Sequence, residues 1–350
     1  MESLYDLAEH GAEAWTNERP TTIAVDTETE GVEFYDRPFC VTIAWYRDDG
    51  DYTGYYFELP DYAHVVKEIL LSTPEWVFHN AKFDLQKLVL AGILDRSDIQ
   101  PERFEDTEAI AHLLDEHQSK GLKSLAVNVL GIDDTVEVEI KSGPNKGQMR
   151  KVPREKVALD AARKEAGLTA ADGYHLLPRS VVIPYAIMDA VLTMQLYGRL
   201  RPELARFTDL SDLYEHELRL TLALLDIEAA GMALDMDYLE ATTKEYARLC
   251  VMSELKIRDM TNEDFLPTSW QQVLAELHRR GHNIENTQSE TLEALDDEFA
   301  REILNLRTLR KIHGTYLQNM LDSQRGGIIH PNFRQHGTKT GRMSSGEAEE

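Results

Sequence analysis

Positive charge is what this sequence has least of. Lys and Arg number 37 against 62 Asp and Glu in 350 residues, a formal net charge of −25. Such a chain repels a phosphate backbone, which excludes a protein coated all over with basic residues for nucleic acid. Cysteine is nearly missing. Cys40 and Cys250 lie far apart, so neither a disulfide framework nor a cysteine metal cluster is expected. No uninterrupted apolar run approaches the roughly 18 residues that span a bilayer. The N-terminus, MESLYDLAEHGAEAW, is acidic where a signal peptide is basic and then apolar. The expectations are no membrane and a cytoplasmic location. The sequence carries no internal repeat. What is present, 42% hydrophobic and 28% charged residues, is the composition of a globular protein with chain enough for about two domains.

The patterned stretches divide near residue 200. Residues 21–25 and 41–46 are β-branched and apolar and predict buried strands. Residues 55–59 predict a third, joined to the second through turn residues at 48–51. A helix is predicted over about 61–71, a strand over 75–78, and a helix capped by Asn80 and stopped at Gly92. Residues 133–178 are polar and carry the loop signal Ser142-Gly143-Pro144-Asn145-Lys146-Gly147, so an insertion is expected there. A periodic pattern returns over 183–200. Strands followed by helices make 1–200 an α/β domain. The remainder, 201–350, reads as mainly helical. Asp212 with Glu215, Asp237 with Glu240 and Ser269 with Gln272 are placed to open helices, and Gly231 and Gly281 to stop them. A further helical pattern runs over about 298–321.

Four carboxylates stand out. Asp26 and Glu28 follow the first strand directly, and residues two apart in an extended chain point to one face. Like charges that close raise each other's pKa unless a cation sits between them, and hard oxygen ligands select Mg²⁺ or Mn²⁺. Asp84 sits one turn into the helix begun at Asn80, and Tyr185 and Asp189 are four apart on one helical face. Taken singly, each has a plainer reading: a solvated turn, a charge favoured by a helix N-terminus, an amphipathic helix with an exposed acid. Together, strand, helix and helix can bring four carboxylates onto two metal ions about 3.5–4 Å apart. One ion makes hydroxide available near neutral pH, the other stabilises the leaving oxygen, and Tyr185 can orient the attacking water. That assembly suits in-line hydrolysis of a phosphodiester.

Asp26-Thr27-Glu28-Thr29, His79-Asn80-Ala81-Lys82-Phe83-Asp84 and Tyr185-x-x-x-Asp189-Ala190 resemble, in order and spacing, the three motifs of DEDDy proofreading exonucleases. The resemblance covers about 20–200. It implies an α/β ribonuclease-H-like fold, a mixed sheet flanked by helices, and release of nucleotides from a DNA 3′ end with two divalent metal ions. It further implies Asp26, Glu28, Asp84 and Asp189 as metal ligands, Tyr185 as the residue that positions water, and Thr29 and Asn80 as contacts to the substrate strand.

The second part resembles the beginning of a family-A DNA polymerase, a mainly α-helical, thumb-like region. The similarity runs from Glu217-Leu218 to Leu234-Asp235 and through Leu309-Arg310-Lys311-Ile312-His313-Gly314-Thr315-Tyr316-Leu317. It is strongest in His330-Pro331-Asn332-Phe333-Arg334-Gln335 and Thr338-Lys339-Thr340-Gly341-Arg342-Met343-Ser344-Ser345. It implies a primer–template contact for Arg342. Members of that family continue into palm and fingers, so the expectation is an enzyme that stops before the palm motifs and does not polymerise alone. The start of the exonuclease near residue 20, with no room for a 5′-nuclease domain, points to a bacteriophage type. A second chain carrying palm and fingers is then a possible partner, and the cytoplasm of a bacterial host the location. The alternatives are a free-standing DEDDy exonuclease trimming RNA or DNA, and a non-catalytic scaffold of a split polymerase. Residues 328–343 are expected to leave an exposed strand edge. The scarce basic residues are also unevenly placed. There are eight against two acids over 301–345 and six against one over 141–156, local tracks on which a phosphate backbone can lie; a solvated loop is the plainer reading of the second.

Overall fold

The apolar runs of the first part form a five-stranded mixed sheet in the computed structural model, which describes residues 4–140, 146–169, 172–262, 264–338 and 340–346. Its strands are β1 (Thr22–Thr29), β2 (Pro38–Tyr46), β3 (Tyr52–Glu58), β4 (Glu75–Phe78) and β5 (Phe104–Asp106), ordered β3-β2-β1-β4-β5. β1 pairs antiparallel with β2 and parallel with β4; β3 is antiparallel to β2 and β5 parallel to β4. The helices of this part are α1 (Leu4–Glu18), α2 (Ala63–Ser72), α3 (Ala81–Leu90), α4 (Thr107–Leu114), α5 (Leu122–Leu125), α6 (Arg154–Glu165), α7 (Arg179–Leu204) and α8 (Thr208–Ala230). A mixed sheet flanked by helices is the ribonuclease-H-like arrangement expected from the motifs.

The two faces of the sheet are built differently, and this positions α7. Ile23, Val25, Val41, Ile43, Trp76 and Phe78 enter the main core. The opposite alternation brings Ala24, Ala44 and Val77 against Ala190 and Met194 of α7. Small side chains there let the helix come close. A Cβ on Gly54 of β3 would stand 2.8 Å from Ile187 Cγ2 and 3.1 Å from Val191 Cγ2. Thr42 Oγ1 donates to Ala186 O at 3.0 Å and fixes the helix along its axis. Among the described residues α7 is the one helix long and apolar enough to cross a bilayer; here Val182, Leu192, Leu196 and Leu200 are buried in the protein core instead.

Several expected boundaries move. Within 133–178 the chain forms an antiparallel hairpin, β6 (Thr135–Glu139) with β7 (Met149–Pro153), followed by α6. Residues 142–145 of the loop signal lie outside the described residues. Lys151 and Arg154 pair with Asp133 and Asp134, so part of that basic charge is already neutralised within the hairpin. Helix α8 starts at Thr208, with Asp209 as its N-terminal acid, so Asp212 and Glu215 stand inside it rather than at its start.

By contact the chain divides into two units, one of residues 1–229 with 332–350 and one of residues 230–331. The second unit is mainly helical: α9 (Met236–Met260), α10 (Trp270–Arg279), α11 (Ser289–Glu293), α12 (Glu298–Arg310), a π-helical stretch Lys311–Gln318, and α13 (Asn319–Ser323). Cys250, Ile257, Val273, Leu277, Phe299 and Ile303 form its core. Asp235, not Asp237, caps α9 by accepting from Tyr238 N, while Ser269 caps α10 as expected. Ahead of α9, β8 (Met232–Ala233) pairs antiparallel with β9 (Ile328–Ile329). Gly231 is required at this neck: its φ is 64°, and a Cβ would stand 2.5 Å from Ile328 Cγ2.

Residues from 332 onward return to the first unit as a strap. Lys82 Nζ donates to Asn332 Oδ1 at 3.0 Å, Phe333 N to Glu228 Oε1 at 2.6 Å, and Gln335 Nε2 to Glu217 O at 3.0 Å. Lys120 Nζ donates to His336 O. β10 (Phe333–Arg334) pairs with β11 (Ser344–Ser345). The segment expected to end in an open edge is therefore paired twice, β9 with β8 and β10 with β11. Lys339 and residues 347–350 lie outside the described residues.

Candidate active site

The carboxyl ends of the parallel strands β1 and β4, with the helices α3 and α7, gather the expected residues. Asp26 and Glu28 are half-buried on the face of β1 that also carries Ala24, and Thr27 between them is buried on the other. The register of β1 against β2 shifts between Glu28 and Thr29, which bends the strand at the site. Thr27 donates twice to Asp84 Oδ1, from its backbone N at 2.8 Å and from Oγ1 at 2.7 Å, and so ties α3 to β1. From α7 comes Asp189, buried, with the Tyr185 hydroxyl one turn earlier donating to it.

Charge crowding marks the convergence. Burial, then the charges of Asp84, Glu28 and Asp189, hold the Asp26 carboxyl well above the usual range, against the lowering pull of Lys123. Burial pushes Asp84 up to about 7 even though both Thr27 bonds favour its charged form. Asp189 is raised by burial and pulled back by Lys123. The Tyr185 phenol is pushed up by burial and by Asp189, Glu28 and Asp26.

These directions fix a pH dependence for the metal-free protein. Asp84 takes its proton near 7 when folded and near 3.8 when unfolded, so its contribution is complete below about pH 4 and lost as pH rises through 7. Thermal unfolding in EDTA should therefore occur at lower temperature at pH 8 than at pH 5. Added Mg²⁺ should restore more at pH 8, because carboxylates bind cations when deprotonated. An unfolding temperature that rises across that window contradicts the burial that raises Asp84.

One residue of the cluster has no sequence signature. Lys123 lies on the single turn α5, where no periodicity marks it. Its ammonium pairs with Asp189 Oδ1, donates to Glu155 Oε2 at 2.8 Å and stands 5.1 Å from the centroid of the Tyr185 ring. Tyr174 meets that ring edge-on, at 5.8 Å between centroids.

The remaining expected residues are placed as follows. Thr29 is half-buried, its Oγ1 donating to Gly31 O at 2.5 Å. Asn80 precedes α3 with left-handed backbone, φ 70° and ψ 58°, and its side chain does not cap the helix. Asp106, at the end of β5, does so instead, accepting from Asn80 N at 3.0 Å and Ala81 N at 2.9 Å. A carboxylate is the stronger acceptor, and Asn is one of the few residues that tolerates this backbone. Arg342 is exposed on the β10–β11 hairpin, its carbonyl accepting from Thr338 Oγ1 at 2.7 Å, apart from the acids on β1, α3 and α7.

The donor set at the four acids is oxygen only and fits a hard divalent cation. Among the described residues no three His, Cys, Asp or Glu side chains close into a ready coordination shell. Asp84 is turned to Thr27 and Asp189 to Lys123, as expected of like charges that protein partners hold apart.

The 3′-5′ exonuclease family model matches residues 5–205, and that of DNA polymerase family A matches residues 236–349. DNA polymerase I of Chloroflexus aurantiacus is 31% identical over 76% of this chain and 27% of its own length. DNA polymerase DpoZ of Salmonella phage PMBT28 is 25% identical over 94% of this chain and 53% of its own. The chain thus spans about a quarter to a half of these curated relatives. Its fold is shared with the POL domain of Pol1 from M. smegmatis, solved in complex with DNA primer-template and dNTP. The TM-score there is 0.62 at 21% identity, over 96% of this chain and 53% of that one. With its mixed sheet and both family matches, the chain belongs to the 3′-5′ exonuclease family and carries, after the exonuclease domain, the start of a family-A DNA polymerase domain.

Proposed function

We propose that this chain excises nucleotides one at a time from a single-stranded DNA 3′ end, as the proofreading part of a family-A DNA polymerase. The observation that supports this best is the crowding of Asp26 by Asp84, Glu28 and Asp189 at one end of the sheet, with Tyr185 against Asp189. Asp26, Glu28, Asp84 and Asp189 would hold two divalent metal ions, Mg²⁺ or Mn²⁺. When bound, the ions supply the positive charge that an in-line phosphodiester displacement needs at its attacking and leaving oxygens.

The other tasks fall to the chain itself. Thr27 locks Asp84 in one rotamer, so that this acid meets a cation preorganised. Tyr185 keeps its proton at neutral pH and so orients water as a hydrogen-bond partner rather than removing a proton as a base. Asn80, relieved of capping by Asp106, is free to contact the substrate strand, and Thr29 flanks it from the end of β1. Arg342 would contact primer–template DNA from its exposed hairpin. Synthesis in this reading belongs to palm and fingers, on the same chain or a second one, acting in the bacterial cytoplasm.

The test is a 3′-labelled single strand. In Mg²⁺ the label should leave as mononucleotide, EDTA should stop release, and RNA of the same sequence should be degraded more slowly. Faster degradation of RNA would favour a trimming enzyme, and no release from either strand a scaffold.

A further inference from the structure

The cation that faces these acids from the protein itself is Lys123, and it is held from three sides. Asp189 on α7 and Glu155 in the first turn of α6 both take its ammonium, and the Tyr185 ring lies under it. The Lys123 side chain is 26% exposed and that of Asp189 10%, so the pair is largely withdrawn from water. A buried acid stripped of its paired cation costs far more than the pair contributes. Two carboxylates share one ammonium, so Lys123 has a second anion to turn to whenever Asp189 is claimed by another cation.

We propose that Lys123 is a positioning residue of the exonuclease site: it holds Asp189 and Tyr185 in place while no divalent ion is bound, and releases Asp189 to the ion by falling back on Glu155. This deepens the exonuclease reading and rests on it. Two consequences have opposite signs. Without its ammonium no cation among the described residues pairs with Asp189, so divalent ions bind more tightly, yet Tyr185 loses the charge that steadies its ring. Without the Glu155 carboxylate Lys123 has nowhere to retreat, stays on Asp189, and the ions bind more weakly. Side chains that merely supported the fold would weaken ion binding in both cases.

The experiment uses the whole 350-residue chain without DNA, with Mn²⁺ as the probe and free Mn²⁺ read by electron paramagnetic resonance. In Lys123→Met the Mn²⁺ dissociation constant should fall about 10-fold, and in Glu155→Gln it should rise about 10-fold. Lys123→Arg should stay near the wild-type value. With 3′-labelled DNA, Lys123→Met should lower kcat about 10-fold with KM for the strand unchanged, and Lys123→Arg should recover most of it. Shifts of one sign in both variants, or no shift in either, overturn the proposal. Should Lys123→Met fail to fold, the sign of the Glu155→Gln shift decides alone: weaker binding supports the fall-back and equal or tighter binding overturns it. Failure of the exonuclease reading looks different, since wild-type chain would then bind Mn²⁺ without releasing nucleotides.

Discussion

Exchange of Asp26 for alanine should abolish nucleotide release from a 3′-labelled strand and, in the same protein, raise the unfolding temperature measured in EDTA. Both effects come from one feature. Asp26 stands among Asp84, Glu28 and Asp189, with the Lys123 ammonium as the opposing charge. Loss of a side chain that only supports a metal ligand typically costs 10–100-fold in affinity or activity, so loss of the ligand itself should exceed about 100-fold. Without metal, the same carboxylate is a liability, since burial and three like charges all disfavour its ionised form. Removing it relieves that repulsion, and stability is regained where function is lost. Initial rates in Mg²⁺ and unfolding curves in EDTA at pH 8 measure the two sides. Undiminished release would remove Asp26 from the site, and a lower unfolding temperature would mean that the acids do not crowd one another.

The second large effect belongs to Lys82, which lies in the His79–Asp84 motif but faces away from its chemistry. Its ammonium pairs with Glu228 at the end of α8, and the two side chains are only 10% and 3% exposed. Breaking such a pair by removing one partner leaves a buried charge uncompensated, so Lys82→Met should destabilise the first unit by about 3–5 kcal/mol. Neutralising the second partner in Lys82→Met/Glu228→Gln should return much of that, because Gln can still accept from Phe333 N. Urea unfolding of the two single variants and the double variant measures the coupling. Losses that simply add would show that the pair is not a unit. Release from a 3′ end should also slow in Lys82→Met, since α3 carries Lys82 and Asp84 half a turn apart.

What could be read from the residues was whatever local pattern encodes. The strands β1 and β2 announce themselves by β-branched runs, α10 by Ser269, and the ends of α8 and α10 by Gly231 and Gly281. The strand period puts Asp26 and Glu28 on one face and the helix period does the same for Tyr185 and Asp189, but only the resemblance to the exonuclease motifs joins these pairs to Asp84. Capping was less legible, since Thr, Asp and Ser compete for the same role. Asp235 caps a helix that Asp237 was equally fit to cap, and α8 begins at Thr208, ahead of Asp212. Least legible were contacts across long stretches of chain. Asp106 caps a helix that begins 25 residues earlier in sequence, at Ala81, and Lys82 finds its counter-ion 146 residues away. Lys123 sits in a single helical turn with no period of its own. No local pattern names such partners; packing alone brings them together.

The strap beyond Pro331 has a kinetic consequence. Seen from the first unit, residues 230–331 are one long loop that must close before Asn332 reaches Lys82 or Phe333 reaches Glu228. Closing a flexible loop of about 100 residues costs roughly 4 kcal/mol in chain entropy. The pairing of Met232 with Ile329 brings the two ends of that loop to neighbouring strands. If the second unit has already folded, the loop is in effect a short turn, and the strap docks at little further entropic expense. The topology therefore favours an inverted order of assembly, in which the unit later in the chain folds first and the first unit receives its last strands afterwards.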